Sequence, residues 1–372
     1  MLKILFKIFY LIKILIKAKY KFNYPDSRPI LIYDGELNPF KKYFSKKSNL
    51  LFTRGEELNI PILFLCLKEF NINPINYFSK YIIYSGAKLI LTATDNYHTF
   101  FKLSELTNVK TIFIQYGRKK WGDGLFADKN ILSKKNKKKY FVDYMFVFNK
   151  HVKEKYEKFI RGKIFVTGSF RNNLNYPKKK KLNEILFISD YKKIFENSDL
   201  GSYDRHVIDY LYNCCKKNNL KFNILCKNGS VDEIEYFKKI ISKDVNFVKF
   251  NNNNIFEKYK IIRKYKYIFS IWSSLAIEAF AIGARVGFIF FKPKKYFNLA
   301  LGNFESLNFS GPFWTAFNIF NVNECQRLFN FVTKGSESRW NNVRKKYAQD
   351  FCVFEKNNKT FFKIIRSTLS KS

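Results

Sequence analysis

The chain has 372 residues, 47% of them hydrophobic and 19% aromatic, which excludes the disordered class and supplies apolar surface for two cores. Sixty-eight Lys and Arg against 30 Asp and Glu leave a net charge of +38, a field that attracts polyanions such as nucleic acid, an anionic leaflet or phosphorylated substrates. No uninterrupted apolar run approaches the roughly 18 residues that span a bilayer.

Residues 1–22 read as a helix. Its lysines run through the apolar segment and no small-residue cleavage site follows, which argues against a secretory signal. On a helical wheel Lys3, Lys7, Tyr10, Lys13 and Lys17 share an arc of about 120°, and Leu, Ile and Phe cover the rest. Such a helix lies on an anionic membrane surface through residues 1–20 with its lysines at phosphate; the alternative is that it docks on the protein itself.

Short apolar runs that turn polar follow: "PILIYD" (29–34), "KLILTATD" (88–95), "KTIFIQYG" (110–117), "DYMFVFN" (143–149) and "KIFVTG" (163–168). They read as buried parallel strands, with a further strand at 50–53 and helices at 76–84, 97–107 and 150–160. After a Pro/Lys linker a second set begins: "EILFISD" (184–190), "KFNILCK" (221–227), "NFVKF" (246–250), "KYIFS" (266–270) and "RVGFIFF" (285–291). Helices are expected at 203–218, 231–242, 254–264 and 274–283. The expected fold class is therefore α/β, with two Rossmann-like, doubly wound domains facing a cleft, over 23–176 and 177–335, and C-terminal helices over 336–372. The lysine runs at 134–139 and 177–181 fall in expected loops and read as solvated.

Six cysteines show no C-x-x-C pair and three histidines no metal-ligand spacing, so a reducing compartment and no metal are expected. Ligands of doubly wound sheets bind beyond the carboxyl ends of the strands. The polar residues there are Asp34, Asp95, Asn96, Gln115, Tyr116, Gly117, Arg118, Asn149, the "GSFRNN" stretch at 168–173, Asp190, and Lys227 with Asn228 and Gly229.

The stretch "SIWSSLAIEAFAIGARVGFI" (270–289) is the most informative. Ser270 ends a strand, and Ser273 or Ser274 caps the next helix, whose amides and dipole form an anion site. Glu278 lies one turn past Ser274 on the same face and is placed to accept the two hydroxyls of a ribose. A surface glutamate is the alternative, but the flanking Leu, Ala, Ile and Phe residues leave little polar face.

The pattern S-x-x-SS-x-x-x-EA-x-x-x-G before an apolar strand resembles the donor segment of glycosyltransferases of the GT-B class. With "IQYGRKKWGD", "VDYMFVFNKHVKEKYEKFIRGKIFVTGSFRNN" and "SGPFWT", residues 28–335 resemble a bacterial family of surface carbohydrate biosynthesis transferases, near the capsule-polysaccharide and CDP-glycerol glycerophosphotransferase-like proteins. The resemblance implies an acceptor, glycan or lipid-linked, on the first domain and a nucleotide-activated sugar on the second, with no further cofactor. Ser273, Ser274 and Glu278 would hold donor phosphate and ribose, Lys227 would offset diphosphate charge, and Gly168, Ser169 and Arg171 would line the hinge side. Related transferases often carry Q-x-H-G where this chain has Gln115-Tyr116-Gly117, so the easiest general base is missing.

For the base, Asp95 ranks ahead of Asp123 and Asp34, with His98 able to assist Asp95. Glu56 and Glu57 could bind acceptor hydroxyls or cap the following helix. Trp314 could stack on a sugar or pack in the core. The reading is a membrane-associated glycosyltransferase of surface polysaccharide. Its rivals are a glycerophosphate-type transferase, a nucleotide-sugar epimerase and, from another class, a basic nucleic-acid-binding protein; specific nucleic-acid binding is not expected, because no recognisable motif interleaves the lysines with aromatics.

Overall fold

A computed structural model describes residues 16–34, 40–94, 99–117, 140–177, 180–193, 199–241, 245–254, 256–291 and 310–370. Two parallel sheets organise them. The first has the order β3-β2-β5-β6-β7-β8, built from β2 (Ile30–Tyr33), β3 (Ser48–Leu51), β5 (Leu89–Thr92), β6 (Lys110–Ile114), β7 (Tyr140–Val147) and β8 (Ile160–Val166). Every residue of β2 and β5 is buried, as expected where both faces of a sheet are covered.

The alternation of side chains sorts these strands between two cores. Leu31, Tyr33, Ile90 and Phe113 face a layer containing Ile62, Phe78, Phe101 and Tyr156. Ile30, Ile32, Leu89, Leu91, Ile112 and Ile114 face Phe361 and Ile365 instead. Those two belong to the last helix, Lys359–Ser370, so the C-terminus returns to cover the first sheet.

The second sheet runs β11-β10-β9-β12-β13-β15-β14, from β9 (Leu182–Ile188), β10 (Phe222–Leu225), β11 (Asn246–Phe247), β12 (Tyr265–Ser270), β13 (Arg285–Phe291), β14 (Ser310–Gly311) and β15 (Trp314–Phe317). All pairs are parallel except β14 with β15. Strand order reverses between β9 and β12, the topological switch point at which doubly wound sheets bind ligands. The α/β class and doubly wound architecture expected from the sequence are what the chain adopts.

Two expectations need correction. The helix expected over 1–22 lies mostly outside the described residues, but Lys19–Lys21 form a strand, β1, paired in parallel with β4 (Glu57–Asn59), whose open backbone edge extends the chain there. Trp314 sits on β15, packed against Phe313, Tyr347 and Phe351; its ring fills the core of the second sheet and is no cleft wall.

The chain passes between the sheets twice, side by side. After β8 it crosses through 167–173, and after the helix Glu337–Phe351 it crosses back. Val353 N donates to Phe148 O (3.1 Å), Asn149 Nδ2 to Phe351 O (3.0 Å) and Glu355 N to Asn173 Oδ1 (3.1 Å), and Gly168 pairs with Phe354. Gly168 has φ +80, and a Cβ there would lie 1.9 Å from Val353 O. Gly168→Ala should therefore lower unfolding free energy by about 2 kcal/mol in urea denaturation; unchanged stability would mean the two crossings are not tightly apposed.

Candidate functional site

At the switch point the turns after β9 and β12 brace one another. Ser270 Oγ donates to Ile188 O (3.0 Å) and accepts from Ser273 N (3.0 Å), and Asp190 Oδ2 accepts from Trp272 N (2.9 Å). Ser273 is the N-cap of the helix Ser274–Ala281, its hydroxyl accepting from Leu275 N at 3.3 Å. Ser270 and Ser273 thus shape the turn. Ser274 opens the helix, whose first turn carries no acidic residue, so its positive dipole end stays uncompensated from within.

Glu278 points inward from this helix and is 2% exposed. Its carboxylate accepts from Ser169 Oγ, in the first crossing, and from Tyr259 OH at 2.9 and 3.1 Å. Asn172 Nδ2 donates to Glu278 O at 2.7 Å. Burial pushes the Glu278 carboxyl above its ordinary 4.5, although Arg171 and the two hydroxyls pull the other way.

Arg171 lies 3.9 Å over the Tyr116 ring and 5.2 Å over the Tyr259 ring, and donates to Tyr116 O at 2.9 Å. Burial works against its charge, but Tyr259 and Glu278 outweigh it and raise its pKa. Arg263 closes the far side, donating to Tyr259 O (3.0 Å) and Asn172 O (2.5 Å) and stacking 4.2 Å over Tyr176. In this junction Asn172 is fully buried, and its Oδ1 has no donor among the described residues.

The loop after β10 is moulded by Glu233, which the sequence reading missed. This buried carboxylate accepts from Ser189 Oγ (2.5 Å) and from the amides of Lys227 (2.6 Å), Asn228 (2.9 Å) and Gly229 (3.1 Å). Ser230 caps the same helix by accepting from Glu233 N. The signal was present as S-x-x-E over 230–233, a capping box. Lys227 projects outward; Lys258, also missed, donates to Lys227 O and lies 4.2 Å over Phe250. Burial lowers the Lys258 pKa.

On the first sheet, Gln115 is buried and fully engaged, donating to Gly117 O (2.8 Å) and accepting from Phe148 N (2.8 Å). It braces the turn that presents Tyr116 and Gly117. Asp34, with φ +59, accepts from Thr53 Oγ1 (3.1 Å) and pairs with Arg54 (3.2 Å). Glu56 accepts from Arg54 N (2.9 Å), and the next helix is capped by Asn59. Asp95, His98, Arg118 and Asp123 lie outside the described residues. Among the described residues no group of three or more His, Cys, Asp or Glu could hold a metal ion.

Sequence comparison supplies the family. One described as "putative O-antigen biosynthesis protein" matches residues 112–369. The chain belongs to this family. That agrees with the surface-carbohydrate resemblance carried by the motifs. The fold is similar to that of the wall teichoic acid polymerase TagF: TM-score 0.52 at 13% identity over 93% of this chain and 90% of that one, and 0.53 at 14% over 93% and 89% for a CDPG-soaked form. A structure described as a "putative UDP-N-acetylglucosamine 2-epimerase" from Listeria monocytogenes aligns at TM-score 0.49 and 9% identity over 93% of this chain and 98% of that one. No curated protein matches by sequence. Among the described residues no helix is long and apolar enough to cross a membrane.

Because the folded state holds the Glu278 proton more tightly than the unfolded chain does, the associated stability is complete below 4.5 and lost as pH rises through the higher folded value. Relative to Glu278→Gln, the wild type should lose thermal stability as pH rises from 4.5 through the higher folded value. Parallel melting curves across that range would contradict the assignment.

Proposed function

We propose that this O-antigen biosynthesis protein is a glycosyltransferase that takes a sugar from a nucleotide-activated donor and adds it to a cell-surface polysaccharide. The observation that carries the proposal is the buried Glu278 carboxylate at the switch point, four residues from a helix start capped by Ser273. The helix amides, Ser274 and Lys227 receive the donor diphosphate, where fixed dipoles and cations stabilise the charge that builds on the leaving group. The two hydroxyls now on Glu278, from Ser169 and Tyr259, have the donor chemistry of a ribose diol, so a nucleotide replaces one or both without leaving the carboxylate unpaired. The buried Asn172 Oδ1, without a donor among the described residues, offers an acceptor for a donor N–H or O–H.

The acceptor, a glycan or lipid-linked chain, lies against the first sheet, presented to Tyr116, Gly117 and Arg118. Asp34 is engaged by Thr53 and Arg54; Asp95 takes the general-base role, with Asp123 as its alternate. The fold shared with a wall teichoic acid polymerase favours one second reading, transfer of a phosphate-linked polyol from the same donor site. The enzyme works at the inner face of the cytoplasmic membrane, held by the lysine-striped segment at 1–20.

A thermal-shift screen with UDP-, GDP-, CMP-, CDP- and TDP-linked donors tests the donor site. One nucleotide class should stabilise the wild type, and Glu278→Ala should weaken its affinity roughly tenfold or more; equal stabilisation of both proteins would remove Glu278 from donor binding. Reversing charge at Lys3, Lys7 and Lys13 to Glu should shift the full-length protein out of the membrane pellet. Unchanged sedimentation would count against that anchor.

A further inference from the structure

Most of the exposed large apolar side chains among the described residues fall between residues 16 and 84. The helix Ile60–Lys68 buries Ile62 and Cys66 against the first sheet and turns Phe64 and Leu67, three residues apart, outward beside Lys68. Phe70 and Ile72, just past the helix end, are exposed as well. The partner helix Pro74–Tyr84 adds Ile83 and Tyr84 at its far end, where Tyr24 stacks on Tyr84 at 5.1 Å. Strand β1 and its flanks expose Ile16, Tyr20 and Phe22 beside β4, which runs directly into Ile60 at the start of the Phe64 helix.

Phe70 is the telling member. It is 97% exposed and its φ is +53, a left-handed conformation that bulky residues adopt at a cost. The comparable helix ends at Asn108, Asn219 and Gly283 use residues that tolerate positive φ. A phenylalanine that strains its backbone and buries nothing does not serve the fold.

We propose that the outward face formed by Phe64, Leu67, Phe70 and Ile72, with the exposed aromatics of residues 16–24, docks on an anionic lipid bilayer. The aromatic and aliphatic side chains enter the boundary between headgroups and acyl chains, while Lys17, Lys19 and Lys68 reach lipid phosphate. The Lys68 ammonium already lies 5.0 Å over the Phe64 ring, an apolar body with its cation alongside. The net charge of +38 favours an anionic surface as occupant. This face is independent of the transfer chemistry and adds a folded contact to the segment at 1–20. It places the rim of the first sheet, proposed to receive the acceptor, beside the membrane.

The test is co-sedimentation of the full-length protein with vesicles of phosphatidylglycerol and phosphatidylcholine, and of phosphatidylcholine alone, alongside melting curves. Phe70→Asn should raise Tm, because asparagine accepts the left-handed backbone, yet weaken partitioning into the mixed vesicles about tenfold. Adding Phe64→Ser and Leu67→Ser should deepen the loss with no fall in Tm, and binding to phosphatidylcholine alone should be weaker throughout. A lower Tm with unchanged partitioning for Phe70→Asn would make the residue structural and overturn the proposal. So would wild-type partitioning of the triple variant, as expected if residues 1–15 cover this face, or a change confined to self-association, which would assign the face to a second copy. None of these results bears on the donor screen.

Discussion

A buried carboxylate cannot be left to itself: outside water it must find donors or give up its charge. Glu278 finds them on two different parts of the chain, Ser169 in the segment leaving the first sheet and Tyr259 in the helix before β12. Satisfying that one group therefore fixes how the ends of the two sheets meet. Arg171, Arg263, Tyr116 and Tyr176 extend the contact into a lattice of cations over rings, and the return of the chain through 351–358 ties it down from the other side. The donors are hydroxyls rather than a committed cation, which is what the proposed exchange with a sugar diol requires.

This arrangement also explains why the membership of the O-antigen biosynthesis family reaches residue 369, well beyond the point near 335 at which the motif resemblance stops. Phe361 and Ile365 seal the face of the first sheet opposite the Phe101 and Tyr156 layer, so the tail is part of the fold. Each buries at roughly 2 kcal/mol.

Most of the strands were legible because buried parallel strands are short, apolar and end in polar residues, a pattern that survives tertiary context. Glu278 was legible for the converse reason, as the lone acid on an oily helix. Trp314 was left between a sugar contact and the core because an aromatic near a loop looks the same in sequence whether it faces a ligand or Phe313 and Phe351. Tyr259, Arg263 and Lys258 carried no local signal: only the folding of the helix Glu257–Ile262 against the crossing makes them neighbours of Glu278 and Lys227. The strand at Lys19–Lys21 defeated a helical pattern because the edge of β4 offers it backbone partners, a tertiary gain that outweighs local periodicity.

The central claim is that the nucleotide donor binds where Ser169, Tyr259 and Glu278 converge. Hydrogen–deuterium exchange of the full-length protein, with and without the stabilising nucleotide sugar, tests it most directly. The account predicts joint protection of residues 169–172 and 271–278, the two sides of one site. Protection absent from both segments, or confined to loops of the first sheet, would contradict it.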